Sequence, residues 1–327
     1  MSGEDSAEEY VVDGVTSQDH SEASPWRKLW QMIWTTPSAA IGMTLLVLLV
    51  LVALLAPVLA PYSPHEQVGL PFVSPSGKFW LGLDDGGYDV LSLLMYGLRI
   101  SLIVGFGAAV ISSVIGTLIG VLSGYFGGWV DTVLMRFTDY FLVIPLLPFM
   151  IVIAYVWGAN LWHTVVVIGA LSWTMTAIVL RAQSRTIRER VYIQRVRSMG
   201  AGHWRTVFHH LLPQVMPLVV ANTVLSISYA IFTETALSFL GLGDPSRVSL
   251  GSMIEHAFQR AGISEGAWWA VLPPGILVAV IVIACSLVGR TIEDNLNPRL
   301  RTAHLSARSF RVREDIAAAK MTGGERV

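Results

Sequence analysis

Stretches free of Asp, Glu, Lys and Arg dominate the chain. They cover residues 29–65, 100–130, 140–180, 206–233 and 266–289, and each is long enough to cross a bilayer, which takes about 20 helical residues. The stretch 140–180 has room for two crossings. It is interrupted at 157–160 by WGAN, a turn flanked by Trp157 and Trp162 at interface depth. The pattern predicts six transmembrane helices, over roughly 39–58, 101–124, 133–156, 161–180, 214–240 and 268–289, and hence an all-α integral membrane protein.

Between the fourth and fifth spans the period changes. In the segment RERVYIQRVRSMGAGHWRTVFHHLLP, residues 188–213, Tyr192, Ile193, Val196 and Met199 share one apolar helical face flanked by Arg195 and Arg197. Gly200 and Gly202 stop that helix and turn the chain. Trp204, Val207, Phe208, Leu211 and Leu212 then fall at offsets of a second amphipathic helix, which Pro213 ends unless it opens the fifth span. The expectation is a helix, turn, helix across one end of the bundle. Amphipathic basic helices also form structural loops at anionic headgroups, so the pattern alone leaves the role of this one open.

Composition agrees with the span count: of 327 residues, 53% are apolar and 14% charged. The net charge of -1 implies no partner, but the placement of the charges is informative. With both termini cytoplasmic, eighteen basic residues lie inside and four outside, namely Lys78, Arg99, Arg247 and Arg260. Residues 1–25 are acidic and Ser-rich and lack the apolar core of a signal peptide, so a disordered cytoplasmic tail is expected. In 26–36, Trp26, Trp30, Ile33 and Trp34 share a helical face beside Arg27 and Lys28, as in an interfacial helix. The transmembrane core then runs over 37–301, and 302–327 is a cytoplasmic tail, either flexible or a short helix.

Other residues are read by their surroundings. Gly116, Gly120 and Gly124 make a small-residue stripe for close helix packing. Pro145 and Pro148 should kink the third span. Arg136 and Asp139, three apart, form an anchoring ion pair, with Asp131 nearby. Glu234, an intramembrane carboxylate, is a candidate for the translocation pathway or for a structural hydrogen-bonding role. The lone Cys285 in an apolar run reads as a buried thiol. His203, His209 and His210 lack metal-ligand spacing, so no metal is expected. With no GxxxxGK[ST] loop, no nucleophile elbow and no HExxH helix, no catalytic residue is named.

The segment YIQRVRSMG followed by HHLLP, with Gly200 thirteen residues before Pro213, resembles the EAA loop of ABC importer permeases. DDGGYDVLSLLMYGLRISL (84–102), GYFGGWVDTVLMRFTDYFLVIP (124–145), ETALSFLGLG (234–243) and EDNLNPRLR (293–301) are similar to the oligopeptide, dipeptide and nickel branch of that family. The resemblance covers about 26–301. It departs where the usual paired alanines are Arg195 and Val196, where Gly-Arg-Asp is Gly87-Tyr88-Asp89, and where the loop after Gly243 reads DPSRVSLGSMI. It implies the type I importer fold with a cytoplasmic coupling helix, and ATPase-coupling roles for Glu189, Tyr192, Ile193, Arg195, Val196, Met199, Gly200, Ala201 and Trp204. It further implies a second homologous permease, two ATPase subunits (separate or fused) that bind ATP and Mg, and an extracytoplasmic substrate-binding protein. No nucleic acid or cofactor of the chain's own is implied. Oligopeptides are the first expectation for substrate, ahead of dipeptides, nickel chelates and oligosaccharides. A secondary transporter or channel would call for internal repeats or several midplane charges, and the sequence has neither.

Overall fold

The computed structural model describes residues 34–260 and 266–296. The expectations for the tail 1–25, for the interfacial helix before residue 34, and for everything from 297 on lie outside the described residues. Within them the structure is helical: α1 Pro37–Leu59, α2 Val90–Phe126, α3 Gly128–Val143, α4 Leu146–Trp157, α5 Leu161–Leu171, α6 Thr174–Arg188, α7 Val191–Ser198, α8 His203–Thr206, α9 Leu212–Phe239, α10 Leu250–Gln259 and α11 Trp268–Leu296. Five helical stretches are long and apolar enough to span a membrane, and α3 with α4 makes a sixth if the bent pair counts as one.

The long helix α2 is the axis of the molecule. Its 37 residues reach about 55 Å, well beyond the roughly 30 Å hydrocarbon layer. The extra length begins at Asp89, whose carboxylate caps the helix by accepting from the Ser92 backbone N–H at 2.8 Å and from its hydroxyl at 2.7 Å. Helix α6 crosses α2 at the glycine stripe. A Cβ on Gly120 would lie 2.5 Å from the Ala177 carbonyl oxygen, one on Gly124 2.6 Å from that of Arg181, and one on Gly116 2.7 Å from the Thr176 Cβ. Backbone touches backbone here. In lipid, where apolar contact gives no hydrophobic gain, such close van der Waals packing is a main source of helix association.

The third span differs from the expected kink. Residues 133–156 are split between α3 and α4, which meet at 83°. Pro145 has no N–H to continue α3, and it forces the preceding Ile144 into extended backbone (φ -66°, ψ 123°). Pro148 costs nothing, because it falls in the first turn of α4, where N–H groups have no helical partner.

Of the two alternatives for Pro213 the structure takes the second: Pro213 falls in the first turn of α9 and opens the fifth span. After α8 the chain passes through a π-helical turn, Val207–Leu211, directly into α9. Pro213 cannot donate to the carbonyl four residues back, and the wider π turn ahead of it accommodates that loss without breaking the helix.

The two ends of the bundle are distinct. Ala39, Ala221, Val288 and Ile292 pack together, so the start of α1 and the end of α11 lie at the end that carries α7 and α8. The loops 60–89 and 240–249, with α10, form the opposite end.

Candidate functional site: the loop 188–213 and the polar groups at either end

The loop is built from local rules. Helix α7 ends in a Schellman motif: Gly200 N–H donates to the Arg197 carbonyl at 3.0 Å and Ala201 N–H to that of Val196 at 3.3 Å. The motif needs a left-handed residue, and Gly200 supplies it with φ 85°. Gly202 then caps α8 in extended backbone.

The apolar face of α7 does not point one way. Ile193 is fully buried in the cluster of Val121, Tyr125, Leu180, Ile187, Val207, Leu211 and Val215, Tyr192 and Val196 are half-buried, and Met199 is 79% exposed. The four apolar positions of α7 therefore do not form one outward face. Ile193 holds the loop onto its own bundle, whereas Met199, Trp204, Arg195 and Glu189 are left outward. Trp204 and Phe208 are exposed and stack on each other at 6.0 Å, while Val207 and Leu211 of the same stretch face inward.

An aromatic ladder ties this outward face to α2. Tyr125, 3% exposed, reaches His203 Nδ1 through its hydroxyl at 3.2 Å. Phe126 lies 5.8 Å from both His203 and Trp204, ring to ring. On the other flank Tyr192 contacts Gln214, joining α7 to the start of α9. These contacts tie α8 to the end of α2. Sequence reading missed the ladder, because Tyr125 and Phe126 lie in a glycine-rich stretch about eighty residues upstream.

Asp131 was read beside Arg136 and Asp139, but it does not join them. Arg181 of α6 donates to it from Nε at 2.5 Å and from Nη2 at 2.6 Å, and the Ser123 hydroxyl also donates to it. Arg136 and Asp139 pair loosely at 3.9 Å, both well exposed.

Glu234 is 2% exposed. Its Oε2 accepts from the Ser101 hydroxyl at 2.9 Å and its Oε1 from that of Ser238 at 2.8 Å, and the Ser249 hydroxyl bonds to it as well. Ser101 Oγ in turn accepts the Leu250 N–H at 3.4 Å. The carboxylate therefore joins α2, α9 and the N-terminus of α10, beside a void of only about 10 Å³. In the conformation described, the carboxylate is engaged by these hydroxyls.

The end opposite the loop opens in a polar cavity of about 600 Å³ lined by Asp84, Asp85, Asp244, Glu255, Arg247 and Arg260 among others. Asp85, nearly buried, pairs with Arg260 at 2.9 Å. Burial pushes the Asp84 carboxyl up to about 6, against N–H bonds from Tyr88 and Gly86. Burial acts on Asp244 in the same sense, but hydrogen bonds from Ser246 and from the Leu161 N–H outweigh it and hold its carboxyl below the usual range. No signal in the sequence singled out this cavity, because its lining comes from three separate loops.

Residues 116–302 match the family described as binding-protein-dependent transport system inner membrane component. Residues 24–72 match the N-terminal transmembrane domain of oligopeptide transport permease C. A protein of Brucella ovis with a provisional peptide-permease name is 37% identical over 80% of this chain and 87% of its own length. The di/tripeptide transport system permease protein DppC of Pseudomonas aeruginosa is 35% identical over 86% and 94%. The glutathione transport system permease protein GsiD of Pectobacterium atrosepticum is 31% identical over 87% and 95%.

Proposed function

The chain belongs to the family of binding-protein-dependent transport system inner membrane components, and from that premise we propose that it is one of two permease subunits of an ATP-driven peptide importer. It forms half of the translocation path and hydrolyses nothing itself. ATP and Mg are bound by two partner ATPase subunits, separate or fused, and substrate is delivered by an extracytoplasmic binding protein. The relatives named for peptides, di/tripeptides and glutathione support a peptide substrate, and the match to the N-terminal domain of an oligopeptide permease favours oligopeptides.

The observation that carries this reading is the construction of the loop 188–213. Its inner face is locked to the bundle through Ile193, Val207 and Leu211, and the aromatic ladder joins it to α2. Its outer face leaves Met199 and Trp204 exposed, with Arg195 and Glu189 beside them. Exposed apolar anchors with a charged rim suit the groove of a partner protein. Closure of an ATPase pair displaces α7 and α8, and the rigid links pass that displacement to α2 and α9, switching access from one side to the other. The excess of Arg on this end supports placing it, and both termini, in the cytoplasm.

Purification of the full-length chain from its native membrane tests the reading. ATPase subunits and a homologous permease should accompany it, and peptide uptake into vesicles should require ATP. An isolated chain that moves substrate regardless of nucleotide would contradict it.

A further inference from the structure

The third span carries charge at a depth where a bilayer has none. Phe137 and Phe141 of α3 both lie against Trp173, ring to ring at 5.8 and 5.5 Å, so Asp139, between them in sequence, stands level with Trp173. Trp173 is placed by its own span: it is twelve residues from Leu161 and eight from Arg181, about 18 and 12 Å along a helix. Arg181 in turn holds Asp131 at the start of α3, so α3 and α6 run side by side. Asp139 therefore falls near the middle of a hydrocarbon layer of roughly 30 Å. Arg136 lies one turn nearer the level of Arg181.

Neither charge is taken into the bundle. The side chains of Arg136 and Asp139 are 76% and 59% exposed and 3.9 Å apart, beyond hydrogen-bond distance, and neither charged end has a hydrogen-bond partner among the described residues. Thr132, Arg136, Asp139 and Val143 recur at offsets 0, 4, 7 and 11 and are all exposed, so they share a helix face turned away from Phe137 and Phe141. Charged side chains at this depth do not face lipid tails; they turn to a water-filled cavity or to a polar partner. A loose pair with nearly all its donors and acceptors unused suits a surface bathed in water and met by a succession of ligands, not one fixed contact.

We propose that this face of α3 lines the aqueous path of the peptide, with Asp139 receiving the ammonium group of a passing peptide and Arg136 its carboxylate. The proposal rests on the reading of the chain as half of a peptide path, and it names the residues that meet the cargo there. A zwitterionic peptide offers both charges, so each side chain exchanges a distant partner for one at hydrogen-bond distance. Neither guanidinium nor carboxylate has to be stripped of water and left unpaired as the peptide moves on.

The test labels single cysteines in the assembled transporter in liposomes, where Cys285, the one native cysteine of the chain, is buried and silent. The probes are an anionic and a cationic methanethiosulfonate, which react with thiolates in water. D139C should react on the order of tenfold faster than F137C, on the other side of the same helix. It should prefer the anionic reagent, because Arg136 remains beside it, whereas R136C should prefer the cationic one. Trialanine supplied with binding protein and ATP should slow the labelling of D139C. As a check that needs no cysteine, D139N should lower trialanine uptake about tenfold and D139E should keep most of it. The proposal is overturned if D139C reacts no faster than F137C, which would put this face in lipid or against protein, if trialanine leaves its labelling rate unchanged, or if D139N transports as wild type does. A wild-type transporter that takes up no peptide would instead overturn the peptide-importer reading, and the contrast between D139C and F137C would still report whether this face meets water.

Discussion

Buried carboxylates in this molecule divide by what surrounds them. Glu234 has hydroxyl donors from three elements, so removing the carboxylate strands Ser101, Ser238 and Ser249 in a dry site. Glu234→Ala should lower stability by about 3 kcal/mol and Glu234→Gln by about 1–2 kcal/mol, read as thermal unfolding of the purified chain. Asp84 is different: its carboxyl is raised from 3.8 to about 6, chiefly by burial, so the fold disfavours its ionised form. Stability from this group is full below pH 3.8 and is lost as pH rises through about 6. Asp84→Asn keeps an oxygen for the Gly86 and Tyr88 N–H groups. It should therefore raise neutral-pH stability by about 1–2 kcal/mol and flatten the melting temperature between those pH values. The sequence made Glu234 visible, because one charge in a long apolar run stands out. It could not reveal that Asp131 binds Arg181, since that pair is fifty residues apart and depends on how α2, α3 and α6 cross.

At the scale of helices, small residues and prolines decide the shape. A side chain on Gly120 would meet the Ala177 carbonyl at 2.5 Å, while one on Gly77 meets nothing within 4 Å. Gly120→Val should thus lower the unfolding temperature, by about 1–3 kcal/mol of stability, and Gly77→Ala should leave it unchanged. Five of the six expected crossings were legible as single helical stretches, since charge-free stretches measure length directly. The path of the third was not: a proline forecasts a lost hydrogen bond, but whether the chain kinks or turns through 83° depends on the packing around Pro145. The continuity of α8 with α9 was hidden for the same reason, as a π turn leaves no periodic signature. On α7 the apolar positions were read correctly, yet periodicity cannot tell a face that grips its own bundle, as Ile193 does, from one offered to a partner, as Met199 is.

Across the whole molecule, the polar cavity and the loop 188–213 occupy opposite ends, and α2 runs between them. One end of it is fixed by the cap at Asp89, its middle joins α10 through Ser101 and Glu234, and its other end meets the loop through Tyr125 and Phe126. A push on α8 should therefore be felt at the far mouth. Family membership was legible from motif order alone. The mechanical connection was not, because it rests on aromatic contacts between segments distant in sequence.

The most direct test is the ratio of peptide taken up to ATP hydrolysed in liposomes carrying the assembled transporter. Gly200 sits at φ 85° with open space around a Cβ built on it, so Gly200→Ala clashes with nothing yet strains the turn by about 1–2 kcal/mol. Hydrolysis should continue while uptake falls about tenfold. Uptake that keeps the wild-type ratio to hydrolysis would show that force does not enter through this loop.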